Sequence, residues 1–219
     1  MQTPGSMVTG IVFAPLGLVL VFVAAITPQW REGQTRLTGV AGAEPLVLLR
    51  SDGLWESCLQ VAQSELKQCW PVAGAYQGDP RVRLSQGLVL SSLFLCGAGI
   101  VLASVGVRCW TDLPLRGVAA AGGALVALSG LLSLTAVGVY THGLGALGQA
   151  PPRWTPHRLP RLSLHPAGSL YFGWVGGFVQ VLGGAALLLS FRIRPQCPSC
   201  GLCSQPKDKQ DTEVYEITC

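Results

Sequence analysis

Eight cysteines and three histidines are the side chains of this 219-residue chain best suited to covalent or ligand chemistry. Cys58 and Cys69 lie in a polar stretch at hairpin spacing, which suits a disulfide on an oxidising side; two free, buried thiols are the competing reading. Closing that loop of about a dozen residues contributes roughly 3 kcal/mol in the chain-entropy model. Cys197, Cys200 and Cys203 form two overlapping C-x-x-C spacings, which invite a metal or iron–sulfur reading. A fourth nearby ligand is missing, and the triplet follows a long apolar segment, a position that favours S-acylation. Cys109, at the end of another apolar segment, is a second S-acylation candidate. No metal and no other cofactor is expected. His142, His157 and His165 share the stretch 140–174, which holds no Asp or Glu. No acid–base pair is visible there, so no enzyme is expected.

What positions these groups is a set of four apolar segments. The chain is 49% hydrophobic and 12% charged, with a mean hydropathy of +0.45. Soluble domains are about 25% charged, so lipid rather than water solvates much of this surface. The spans run at about 8–27, 84–107, 117–139 and 169–191. Each is long enough to cross a bilayer at about 1.5 Å per residue. None contains Asp, Glu, Lys or Arg, which argues against a transporter. The first could be a cleaved signal peptide, but the basic leading region that one needs is absent. The 28 glycines suit close helix packing in a membrane. Gly173 and Gly177 form a GxxxG pair on the fourth span, readable as packing within the bundle or as an oligomer interface.

Four spans put both termini on one side. Arg108 and Arg116 flank the short second loop, and Arg192 and Arg194 open the tail, which favours a cytoplasmic location for both. Arg153, Arg158 and Arg161 in the third loop count against it. The cysteine placement decides for both termini inside. The organisation is then a four-span domain over 1–191, with extracellular loops 28–83 and 140–168, and a cytoplasmic tail over 192–219. Lys and Arg are scattered, so nucleic acid is not an expected partner; membrane lipid is.

Residues 30–83 hold six acids and six bases. Residues 46–49 and 53–59 read as short strands, with Ser51-Asp52-Gly53 as a turn signal between them. Residues 68–72 can pair with the second strand. Trp30 and Trp55 read as interface anchors or loop-core residues.

Trp30, then Gly53-Leu54-Trp55-x-x-Cys58, then Cys69 resembles the first-loop signature of the claudins. Ser104–Cys109 resembles their end of span two, Gly168–Trp174 their start of span four, and Gly183-Gly184 fits as well. The resemblance covers nearly the whole chain apart from the tail. It implies an α-helical membrane protein: a left-handed four-transmembrane-helix bundle with a small extracellular antiparallel β-sheet. It implies a structural protein of the plasma membrane at tight junctions. Its partners would be itself and other claudins, in cis within one membrane and in trans across to the next cell. Polymerised strands would seal or perforate the paracellular space.

The departures from the family pattern bear on permeability. Gln86 stands where an arginine is usual, and His165 where an acid is usual. Trp70 stands where some cation-pore claudins carry an acid, and an acidic lining selects cations by direct charge interaction. Glu65 and Lys67, the nearest charges, oppose one another. Arg153, Arg158 and Arg161 lie in the acid-free second extracellular loop, between spans three and four. These residues point to a barrier former, weakly anion-preferring where permeable, rather than a cation pore; a solvated rim is the plainer reading of the bases. Arg153-Trp154-Thr155-Pro156 takes the place of an aromatic-Asn-Pro turn, making Trp154 and Pro156 candidates for contact between cells. The chain has no Asn, which excludes N-glycosylation. Its end, Glu216-Ile217-Thr218-Cys219, offers a cytoplasmic PDZ scaffold a poor final side chain and only Ile217 as a weak hydrophobic contact. The alternative function is a four-span accessory subunit or regulator of a membrane channel or adhesion complex.

Overall fold

Long charge-free segments can satisfy their backbone in lipid only as helices or closed barrels, and this chain uses helices. The computed structural model describes residues 5–37, 46–62, 66–74, 76–107, 116–144 and 164–192. Its helices are α1 (Gly5–Ile26), α2 (Pro80–Val107), α3 (Arg116–His142) and α4 (Gly168–Arg192). All four are long and apolar enough to cross a membrane. The second begins at Pro80, before the apolar run itself. Asp79 caps it, its Oδ1 accepting from the Arg81 amide at 3.0 Å, and Pro80 fits the first helical position because no donor is needed there.

In the bundle α1 packs along α4, α4 along α3, and α3 along α2, while α1 and α2 touch only sparsely. Small residues set these approaches. A Cβ on Gly184 would lie on the Ala127 amide nitrogen, and one on Gly177 would meet Leu134 at 2.9 Å. The Gly173 side of the GxxxG pair faces Val137 of α3 in the same way. Both glycines of the pair therefore serve packing inside the chain.

Five strands form one antiparallel sheet: β1 (Arg31–Leu37), β2 (Leu46–Asp52), β3 (Glu56–Val61), β4 (Lys67–Pro71) and β5 (Leu164–Pro166), in the order β4-β3-β2-β1-β5. Two strand expectations need correction. Ser51 and Asp52 are not a turn but the end of β2, because Asp52 pairs with Arg31 of β1. The turn lies at Gly53–Trp55, so β3 starts at Glu56 rather than Gly53. Strands β1 and β5 went unread: the buried face of Arg-Glu-Gly begins with an arginine and a glycine, and β5 has three residues.

Candidate functional site

The sheet sits on one end of the bundle, and the residues of the first-loop signature make the seat. Gly53 lets the turn approach the end of α1, since a Cβ there would stand 2.5 Å from Pro28 Cα. The Leu54 side chain is wholly buried, and its carbonyl accepts from Gln86 Nε2 of α2 at 2.6 Å. Trp30, 1% exposed, donates its Nε1 proton to the Ala24 carbonyl at 2.7 Å, satisfying one of the open carbonyls at the end of α1. Its ring meets Tyr140 of α3 edge to face at 4.9 Å. Trp30 is therefore a core residue of the joint, whereas Trp55 is 38% exposed.

A buried ion pair lies beside these contacts. Arg31 gives Nε and Nη2 to Asp52 Oδ2, both at 2.9 Å, with both side chains almost fully enclosed. Arg50 reaches Asp52 Oδ1 at 3.0 Å from the solvent side. Removing such charges from water is costly, so each lone pair must be filled by a fixed partner; here two guanidinium groups serve one carboxylate. The Arg31 guanidinium also stacks 4.2 Å above the Tyr76 ring, a cation–π contact.

Tyr76 ties sheet, loop and bundle together. Its hydroxyl donates to the Gly53 carbonyl at 3.0 Å and lies 2.7 Å from the Tyr140 hydroxyl, which can then donate to it. Burial pushes the Tyr76 phenol up to about 12, against the lowering pull of the Tyr140 hydrogen bond and of Arg31. Backbone bonds complete the joint: Trp30 N to Asp52 O, Ala167 N to Trp30 O, and Ser169 N to Gln29 O. The Arg31, Asp52, Tyr76, Tyr140 and Trp30 side chains of this cluster each bond another protein group, while the buried Ser169 hydroxyl has no partner among the described residues. The arrangement holds a sheet at a fixed place on a bundle; it has no nucleophile paired with a base.

Cys58 and Cys69 are directly opposed in register and joined by a disulfide across β3 and β4. The two sulfurs sit with the Glu56 carboxylate in a grouping that resembles a metal site, but their mutual bond leaves neither free as a ligand. Strand alternation divides the nearby charges. Glu56, Cys58, Cys69 and Lys67 share one face by register, while Ser57 and Trp70 share the other with Asp52. Trp70 is 39% exposed at the sheet edge. His165 pairs across β1 with Glu32, so the residue just before span four is a strand position rather than loop.

Several expected residues lie outside the described residues: Glu65, Cys109, Arg153, Trp154, Pro156, Arg158 and Arg161, and the tail cysteines Cys197, Cys200 and Cys203. Sequence reasoning missed Arg31, Asp52, Tyr76 and Tyr140. Asp52 and Tyr76 stand in turn-like contexts and Tyr140 ends a span, so no periodic pattern marks them. The one available signal was Arg31 directly following the signature tryptophan.

Residues 5–187 match the model of the PMP-22/EMP/MP20/Claudin family. The chain is 32% identical to Claudin-23 of Mus musculus over 202 residues, covering 91% of this chain and 65% of that protein. It is 32% identical to Claudin-23 of Homo sapiens over 211 residues, covering 92% of this chain and 68% of that one. Claudin-7-A of Danio rerio is 26% identical over 199 residues, covering 87% of each. The chain thus spans about two thirds of the length of the two Claudin-23 proteins.

Proposed function

We propose that this chain, which belongs to the PMP-22/EMP/MP20/Claudin family, is a structural protein of tight junctions that polymerises into strands in the plasma membrane. In this reading it associates with itself and with other claudins, in cis and in trans, and both termini are cytoplasmic. The strands act as a barrier, weakly anion-preferring where they are permeable, rather than as a cation pore. Trp154 and Pro156 serve contact between cells. Glu65, Lys67, Trp70, Arg153, Arg158 and Arg161 tune permeability. Cys109, Cys197, Cys200 and Cys203 carry acyl groups, and a PDZ scaffold contributes little.

The observation that carries the permeability reading is the face of the sheet around Trp70. The one carboxylate that register places on that face of β2, Asp52, is buried and held by two arginines. A cation pore needs accessible carboxylates there. The test is a dilution potential across claudin-null epithelial layers expressing the protein, with freeze-fracture of the same cells. Strands with raised resistance, or with a chloride preference, are expected. A clear sodium preference overturns the permeability reading. Co-purification with a channel in the absence of strands overturns the junction role in favour of an accessory subunit.

A further inference from the structure

The sparse contact between α1 and α2 leaves a cleft of about 170 Å³ in the half of the bundle away from the sheet. Ile11, Ala14 and Pro15 of α1 line one wall, Ile100 and Ala103 of α2 the other, and Leu187 of α4 reaches the base. Ile11 lies 15 residues from the sheet end of α1, about 22 Å at the helical rise, so the cleft opens within the hydrocarbon and not at the sheet's surface. Its floor is packed: Ala14, Cys96 and Val126 form a buried cluster, with Ile100 against it. The hydroxyl of Ser104 at the rim is already spent on the Ile100 carbonyl at 2.8 Å. The lining therefore offers an apolar trough and asks for no polar partner.

We infer that the cleft between α1 and α2 is a binding site for a single acyl chain of a membrane lipid in the leaflet opposite the sheet. Water does not enter an apolar site of this kind, and a void would forfeit the contacts of every lining atom. Size selects among the apolar occupants that the bilayer holds. An apolar cavity of roughly 150 Å³ takes one benzene ring, so this cleft takes a short run of methylenes. A four-ring sterol nucleus is too large. A helix of a second copy, about 10 Å across, would lie over the rim without entering.

The test uses the full chain reconstituted in vesicles of phosphatidylcholine that carries a photoreactive diazirine at mid-chain. Cross-links are expected to concentrate on peptides containing Ile11, Ala14 or Ala103. Phe94 and Phe178, lipid-facing and 76% and 54% exposed, report the background. A second measurement uses Ile11→Phe combined with Ser104→Phe, both at exposed rim positions. Filling the mouth of the cleft with two rings removes the excess labelling of the cleft over an unchanged Phe94 background. Labelling spread evenly over all lipid-facing positions overturns the site, and the wild-type distribution decides this even if the double variant fails to fold. Preferential cross-linking of a photoreactive sterol in the cleft, in competition with the phospholipid, overturns the choice of ligand.

Discussion

The joint beneath the sheet and the interior of the bundle are both buried, but they are held by different means. At the joint, Arg31, Asp52, Tyr76, Tyr140 and the Trp30 indole are fixed through named donors and acceptors. In the bundle, glycines bring backbones together, and the polar content is a few hydroxyls and one amide. Lipid offers helices no hydrophobic drive towards one another, so packing by shape must do that work. The joint must instead fix one orientation of a sheet whose apolar face is small. The lesson is that the joint tolerates loss of a partner poorly, while the bundle tolerates loss of polar groups but not added volume.

Asp52→Ala is the largest expected effect. It leaves Arg31 buried without its counter-ion, at a cost of about 3–5 kcal/mol. Thermal unfolding in detergent should show a large fall, with poor delivery to the cell surface. A fall no greater than that of Arg50→Ala, whose side chain is 40% exposed, would mean that the joint is not organised around the buried pair.

Replacing Cys58 and Cys69 together by Ser comes next. The bond closes a loop with a sequence separation of 11, and its loss costs roughly 3 kcal/mol. The helices should keep their circular dichroism while the sheet becomes sensitive to protease. If the bundle melts at the same temperature as the sheet, the two regions are one cooperative unit and the contrast between them narrows.

Gly184→Ala probes the bundle by addition. The new methyl would lie on the Ala127 amide nitrogen, which is backbone and cannot rotate away. Overpacking of this sort costs about 1–3 kcal/mol. Gly87→Ala is the control, because nothing lies within 4 Å of its Cβ position; it should be neutral or slightly stabilising through helix propensity. Equal effects in a paired melting measurement would remove shape as the organising feature of the bundle.

How far the sequence could be read follows the same division. The spans were legible because lipid forbids charge over a long run, a constraint written into every residue of 117–139 and its counterparts. The hairpin was legible from two cysteines and an apolar run at Leu46–Leu49. The joint was not: its partners Arg31, Asp52, Tyr76 and Tyr140 are far apart in the chain, and each alone looks like an ordinary surface residue. Ser51-Asp52-Gly53 has the composition of a turn, yet tertiary pairing with Arg31 makes its first two residues strand.

Tyr76→Phe removes one hydroxyl from the joint and should cost about 1 kcal/mol near pH 8. Its pH dependence is the sharper readout. The folded phenol sits at about 12, while the unfolded one titrates near 10. Below the unfolded value the hydroxyl contributes fully. As pH rises towards the folded value the unfolded chain releases its proton first, and that contribution is lost. The stability gap between wild type and variant should therefore shrink as pH rises from 8, pass through zero and reverse sign by about pH 11.5. A constant gap would show that Tyr76 is open to water and that the joint is wetter than its geometry.

Ser92→Ala is the smallest effect and completes the comparison. Ser92 Oγ lies 2.5 Å from Ser133 Oγ, and Ser133 also donates to Gln180 Oε1 at 3.3 Å. All three side chains are buried between α2, α3 and α4. Polar pairs within membranes average only about 0.6 kcal/mol, because helices separated in lipid find other partners for the same groups. Ser133 also keeps Gln180 when Ser92 is lost. The expected change in melting is thus well below that of Gly184→Ala, although a buried hydrogen bond has been deleted in one case and only a methyl added in the other. A loss comparable to Asp52→Ala would place the bundle under the same rule as the joint, with specific polar bonds rather than helix shape setting its register.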